Sequence, residues 1–312
     1  MSMSPIPVAS RRAPVRAPRR KRLSEFALET LIRVLGFSTV GFVGLIFLFL
    51  LREGVPVFFE VPPGGLFSTR WYPTFGIFGT LPLILGSLLV TLLAIVMALP
   101  LGVATAVFVR EVAPRWAREI LKPIIEVLAG IPSVVLGFFG MTLVAPLVRE
   151  VLGAPTGLTA FSGAFILAYM SLPTIISVAE DALDAVPRSY RDAGLAMGAT
   201  RWQTIWRVVV PAARSGILTA VMLGMGRAIG ETMAVMMVTG NAAVLPSSLA
   251  SLFRPVRTMT ATIAAEMGEV ARGSVHYHAL FGIGIILFVL TFLINLAAAK
   301  GIFQKKRKGG LR

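Results

Sequence analysis

The chain has 312 residues, of which 56% are hydrophobic and only 14% charged, with a mean hydropathy of +0.81. A soluble domain carries about a quarter charged residues, so a soluble fold is excluded, and apolar runs of about 20 residues, the length of a bilayer-crossing helix, exclude the short alternating strands of a transmembrane barrel. The absence of cysteine excludes disulfides, thiolate metal sites and cysteine nucleophiles while leaving the compartment open, and the net charge of +15, suggestive of nucleic acid in a soluble protein, is explained here by where the charges lie.

Residues 1–33 are polar and basic, with "RRAPVRAPRRKR" at 11–22, and read as a disordered tail that anchors topology. The first apolar run, 34–51, is long for a signal peptide and lacks a small-residue cleavage pattern, so it reads as a retained membrane helix. Residues 52–79, rich in Pro, Gly and aromatics, read as an extracytoplasmic loop along the interface, where Trp and Tyr are favoured. The run 80–109 is 30 residues, about 45 Å as a helix and longer than the roughly 30 Å hydrocarbon core, so Pro100 marks a kink or an exit point. Further spans are predicted at 123–148, 161–179, 215–239 and 279–299, the last followed by a basic tail, 300–312. The fold class is therefore an all-α polytopic membrane protein of six transmembrane helices, with residues 80–299 forming a core of five of them. With the amino terminus inside, 23 of the 30 basic residues fall in the inner segments 1–33, 110–122, 180–214 and 300–312, and six in the outer segments. Lys and Arg are retained on the cytoplasmic side, so both termini are expected there, and no nucleic acid is needed to explain the charge.

The longest inner connection, "EDALDAVPRSYRDAGLAMGATRWQTIWRVVVPAARSG" at 180–216, reads as two short helices. Pro187 suits the start of the first, Gly198 the turn, and Thr200 the cap of the second, roughly 201–209. Trp202, Ile205, Trp206 and Val209 then form one apolar face at i, i+3, i+4, i+7. Such a pair can lie on the membrane or dock in a groove of another protein.

This loop resembles the EAA loop of ABC importer permeases, in which E-A-A is followed after three residues by G and, after nine more residues, by I-x-L-P. The matching residues are Asp192, Ala193, Gly194, Gly198, Val208, Val210 and Pro211, with Asp for Glu and Gly for the second Ala. "GRAIGETMAVMMVTGN" (226–241), "IEVLAGIPSVVLGFFG" (125–140) and "FGTLPLILGSLLVT" (78–91) are similar to the PstC-type permeases of phosphate importers, a resemblance extending over roughly residues 70–300. The resemblance implies a type I ABC importer permease architecture in the inner (plasma) membrane of a prokaryote. It implies a PstA-like second permease, a PstB-like ATPase dimer gripping the coupling helices, and a PstS-like phosphate-binding protein at the outer face. Selectivity among phosphate, sulfate and molybdate would reside largely in that binding protein.

Within the spans, Arg227 and Glu231 stand four apart, which on one helix places them on one face. Each costs at least about 2.5–3.5 kcal/mol at mid-bilayer. They are read either as a structural ion pair or as the lining of an anion path, where a guanidinium offers phosphate a rigid donor fork and Glu231 tempers its charge. The second reading resembles what is inferred for the family at these positions. Glu126 is read as a partner of Lys122 or as a gate contact, and Ser133 as a donor to a passing anion or a back-bond to its own helix. Gly130, Pro132 and Gly137 suggest a bent helix, and Gly226/Gly230 a closely packed one. The methionines of the fifth span read as apolar packing, and His276 and His278 as loop residues without a metal-ligand set.

No G-x-x-x-x-G-K-[ST] occurs, so ATP is not bound by a P-loop here. No nucleophile–base set is visible, no cofactor or metal is implied, and the chain reads as a transport subunit rather than an enzyme. Competing readings are a self-contained channel or ion-driven carrier, and a membrane enzyme using Glu126, Glu231 and the histidines.

Overall fold

A computed structural model describes the backbone of residues 23–309 and the side chains of residues 26–296. The expected disorder of residues 1–22 lies outside the described residues. Two compact units are distinguished, residues 1–49 and 50–312. Most of the first described helix, α1 (Leu23–Gly54), belongs to the first unit. It begins eleven residues before the predicted span, because residues 23–33 contain no Gly or Pro and carry a Glu29–Arg33 ion pair of 2.6 Å one turn apart.

In the second unit, the segment 52–79 read as a loop carries short regular elements. Two single-turn helices, α2 (Val57–Glu60) and α3 (Pro63–Leu66), precede a hairpin of β1 (Trp71–Tyr72) and β2 (Ile77–Phe78). Trp71 is buried, while Tyr72 is exposed. Next come α4 (Leu81–Val107), a π-helical turn at Phe108–Val112, and α5 (Arg115–Ala129). Pro100 lies inside α4, which continues to Val107, as membrane helices tolerate proline where neighbours meet the freed backbone groups. The third predicted span divides into α6 (Ser133–Phe139), a π-helical turn at Gly140–Val144 and α7 (Ala145–Leu152). Its apolar membrane-length stretch is Ser133–Leu152, so Glu126 on α5 lies outside it. Gly130 and Pro132 mark the bend.

The fourth span is α8 (Ala160–Asp184), with Thr159 capping its start by accepting from the Ser162 N–H. α9 (Arg188–Ala196) and α10 (Arg201–Thr204) form the predicted helix pair. A π-helical turn at Ile205–Val209 leads directly into α11 (Val210–Gly230), followed by a break and α12 (Met233–Val238). α13 (Met259–Glu266) and α14 (Val275–Gly309) complete the chain, α14 running through the segment read as a tail. Among the described residues, six helical stretches are long and apolar enough to cross a membrane.

α8 packs along both α4 and α11. In lipid, helix association rests on van der Waals contact, so small residues let backbones approach. Ala94 and Ala98 of α4, Ala160, Ala164 and Ala168 of α8, and Ala228 of α11 belong to one buried cluster. Ile175 of α8 fills the space that two glycines leave open. A Cβ on Gly102 would meet its Cγ2 at 2.7 Å, and one on Gly224 its Cγ1 at 2.6 Å. The expected close packing through Gly226 and Gly230 is not found, since a Cβ at either would meet nothing within 4 Å. Gly224→Val should therefore destabilise the chain by about 1–3 kcal/mol through overpacking, whereas Gly226→Val should not clash. Thermal melts of the purified variants in detergent check this, and equal melting temperatures for the two would refute it.

Candidate translocation site and coupling loop

The fifth span does not run helically to residue 239. α11 ends at Gly230, and Glu231 takes an extended backbone with φ −69° and ψ 130°. Glu231 thus stands at the C-terminal boundary of α11, four residues after Arg227, and among the described residues the two make no ion pair. A helix break inside an apolar segment leaves N–H and C=O groups without partners, each costly to bury. Here side chains supply them. Glu231 Oε1 accepts from the Thr232 N–H at 3.1 Å and the Ala234 N–H at 3.2 Å, capping α12. Thr232 Oγ1 donates to the Gly230 carbonyl at 3.2 Å. The Glu231 carbonyl accepts from Thr260 Oγ1 of α13 at 3.0 Å.

Arg227, one turn before the break, is exposed on α11 and makes no hydrogen bond or ion pair among the described residues. Its neighbours on that face include Leu223, half exposed, and Gly226 and Gly230. Ser133 is the first residue of α6, half-buried, without the back-bond considered for it. Glu126 is exposed, and its expected partner Lys122 is instead 3.6 Å from Glu180 of α8, a buried carboxylate 58 positions later in the chain. Gly137 lies against α12, where a Cβ would meet Ala234 Cα and Met237 Sδ, each at 2.9 Å.

At the other functional region, the predicted turn is present in detail. Gly198 has φ +80°, the left-handed conformation that glycine adopts without a Cβ clash. Thr200 Oγ1 accepts from the Gln203 N–H while Gln203 Oε1 accepts from the Thr200 N–H, a reciprocal capping box. Gly194 lets α9 touch α10, since a Cβ there would lie 2.9 Å from Thr204 Cγ2. Asp192, Ala193 and Pro211 are exposed, and Val208 and Val210 half-buried. The single apolar face expected for the second helix is corrected. Ile205 and Val209, in the π-helical turn, are buried, while Trp202 and Trp206 remain outside. Their rings meet edge to face at 5.7 Å. With Tyr190, Leu195 and Met197, also exposed, they give the helix pair an outward apolar surface.

What fixes this pair is Glu111, in the π-helical turn after α4, which the sequence reading passed over. Its carboxylate accepts from Arg191 Nη2 at 2.6 Å and Nε at 3.3 Å. Its carbonyl accepts from Arg201 Nη2 at 2.7 Å. Arg191 also donates to the carbonyls of Val186 and Leu183, at 2.7 and 3.0 Å. Eighty positions separate Glu111 from Arg191, so no local pattern signals the pair. At the opposite end of the spans, Glu266 accepts from Trp71 Nε1 and pairs with Arg257 at 2.7 Å and His276 at 2.8 Å. His276 and His278, read as loop residues, lie in the first turn of α14, and His278 faces Glu60.

Residues 98–308 match the family described as binding-protein-dependent transport system inner membrane component. The chain belongs to this family. It is therefore a multi-pass inner-membrane subunit of a transport system, and the reading as a membrane enzyme is set aside. Among curated relatives it is 46% identical over 233 residues to the probable ABC transporter permease protein YqgH of Bacillus subtilis, 74% of each chain. It is 39% identical over 259 residues to the phosphate transport system permease protein PstC of Mesorhizobium japonicum, covering 77% of this chain and 78% of that one. The Pasteurella multocida PstC is 32% identical, with 93% of this chain and 96% of that one covered. The fold is shared with a bacterial ABC transporter that imports alginate, with TM-score 0.61 at 16% identity over 90% of this chain and 98% of that one. The inward-facing MetNI methionine ABC transporter gives 0.57 at 18% identity, over 75% of this chain and 99% of that one.

Proposed function

We propose that this permease forms, with a second PstA-like permease, the membrane path of an ATP-driven phosphate importer. The observation that carries this is the PstC resemblance, 39% and 32% identity in two relatives and up to 93% of the chain. The site geometry agrees in kind. Arg227 stands on the exposed face of α11 with its donors uncommitted among the described residues. A guanidinium presents a planar fork that matches two phosphate oxygens. Placed toward the second permease, Arg227 and Ser133 would line the path, the Glu231 carboxylate would cap α12 and limit anion trapping, and Glu126 would lie at the gate.

The positive-inside bias supports a cytoplasmic position for α9 and α10. Their outward Tyr190, Leu195, Met197, Trp202 and Trp206 form the surface that a PstB-like ATPase dimer would grip. Asp192, Ala193, Gly194, Gly198, Val208, Val210 and Pro211 build that coupling element. A PstS-like binding protein would deliver phosphate on the opposite side, near the Trp71 hairpin.

The test is uptake of labelled phosphate into vesicles holding this chain, its candidate permease partner, the ATPase and the binding protein. Uptake is expected only with ATP on the ATPase side. Transport of sulfate or molybdate in place of phosphate would reassign the substrate. Phosphate movement without ATP or ATPase would make the chain a channel or carrier and overturn the reading.

A further inference from the structure

The break at Glu231 has no proline to cause it, and its geometry depends on a hydroxyl from another element. Thr260 Oγ1, on the first turn of α13, is 3.0 Å from the Glu231 carbonyl. A carbonyl cannot donate, so the Thr260 proton points at Glu231. Thr260 Oγ1 is also 3.2 Å from Thr258 Oγ1, and with its own proton committed it must accept there. Thr258 in turn accepts from the Ala261 N–H at 3.3 Å as the cap of α13. The hydrogen bonds therefore run in one direction, from the Ala261 N–H through Thr258 and Thr260 to Glu231.

α13 is itself fixed at both ends. Its first residue donates a backbone N–H to Ser87 Oγ of α4 at 2.9 Å. Its last, Glu266, is held by Arg257, His276 and Trp71. From Thr260 to Glu266 the helix rises about 9 Å. It thus connects the Trp71 hairpin to the point where the fifth span opens.

We propose that Thr260 is a positioning residue, which orients Glu231 and the break beside Arg227 by holding the Glu231 carbonyl from α13. Its importance for transport rests on the functional reading above, whereas its geometric role does not. Valine and serine separate the hydroxyl from the methyl. Thr260→Val keeps the volume and leaves the Glu231 carbonyl without its donor, and Thr260→Ser keeps the donor.

The assembled complex in vesicles is used for both readouts. ATP-driven phosphate uptake by Thr260→Val should show a maximal rate reduced about ten-fold, the scale of one lost hydrogen bond to a partly buried group, with Thr260→Ser restoring most of it. A packing role predicts the reverse order. Because the chain has no cysteine, Met233→Cys on the exposed side of the α12 start supplies the one maleimide target on this subunit, read after the subunits are separated by electrophoresis. Thr260→Val should change its labelling rate several-fold, and Thr260→Ser should not. Unchanged labelling, or serine as damaging as valine, overturns the positioning role. If the wild-type complex shows no ATP-driven phosphate uptake, the functional reading fails, and the labelling comparison alone decides whether Thr260 sets the break.

Discussion

Arg227→Gln is expected to lower ATP-driven phosphate uptake about a hundred-fold, the equivalent of two charge-assisted hydrogen bonds at roughly 1.5 kcal/mol each. It should do so without loss of assembly or stability. In the described chain Arg227 has no ion pair or hydrogen bond to lose. An arginine within an apolar span costs about 2.5–3.5 kcal/mol by insertion scales, so glutamine should be no less stable there. Glu231 Oε1 accepts from the Thr232 and Ala234 N–H groups whether or not Arg227 is present, so the α12 cap is expected to survive the substitution. Arg227→Lys keeps the charge but loses the fork, and an intermediate defect is expected. The checks are uptake rate, melting temperature in detergent and co-purification of the partner subunits. Wild-type uptake by the glutamine variant would remove Arg227 from the path.

The parts of this protein legible in its sequence are those set by the surrounding solvent or by neighbours in the chain. The spans were visible because lipid demands long apolar helices. Pro187, Gly198 and Thr200 revealed the α9–α10 turn because left-handed backbone and helix caps are local chemistry. The break at Glu231 was hidden because its stabilising hydroxyl comes from Thr260, 29 positions away. Lys122 seemed to belong to Glu126, one helical turn on, yet the carboxylate it meets is Glu180. Trp202 and Trp206 were assigned to the face of Ile205 and Val209 by a regular period that the π-helical turn interrupts. In each case the missing information was a contact between elements distant in sequence, or an irregular turn that such contacts support.

The same kind of long-range contact yields the second large effect. Arg191→Met should destabilise the chain by about 3 kcal/mol, because it strands the Glu111 carboxylate, whose side chain is only 9% exposed. Replacing both partners, Arg191→Met with Glu111→Leu, should recover much of that loss, since a buried ion pair can be exchanged for apolar packing at little net cost. Coupling should not recover with it. Arg191 also donates to the carbonyls of Val186 and Leu183, which fix the start of α9 against the end of α8. Without those bonds α9 can shift under load even in a stable chain. The double variant is therefore expected to melt near wild type and bind its ATPase, yet hydrolyse ATP with little phosphate uptake. Detergent melts, ATPase assays and vesicle uptake measure the three quantities. If uptake returns in step with stability, Arg191 only holds the fold together. If ATP is consumed while phosphate stays outside, Arg191 carries motion of the helix pair into the spans.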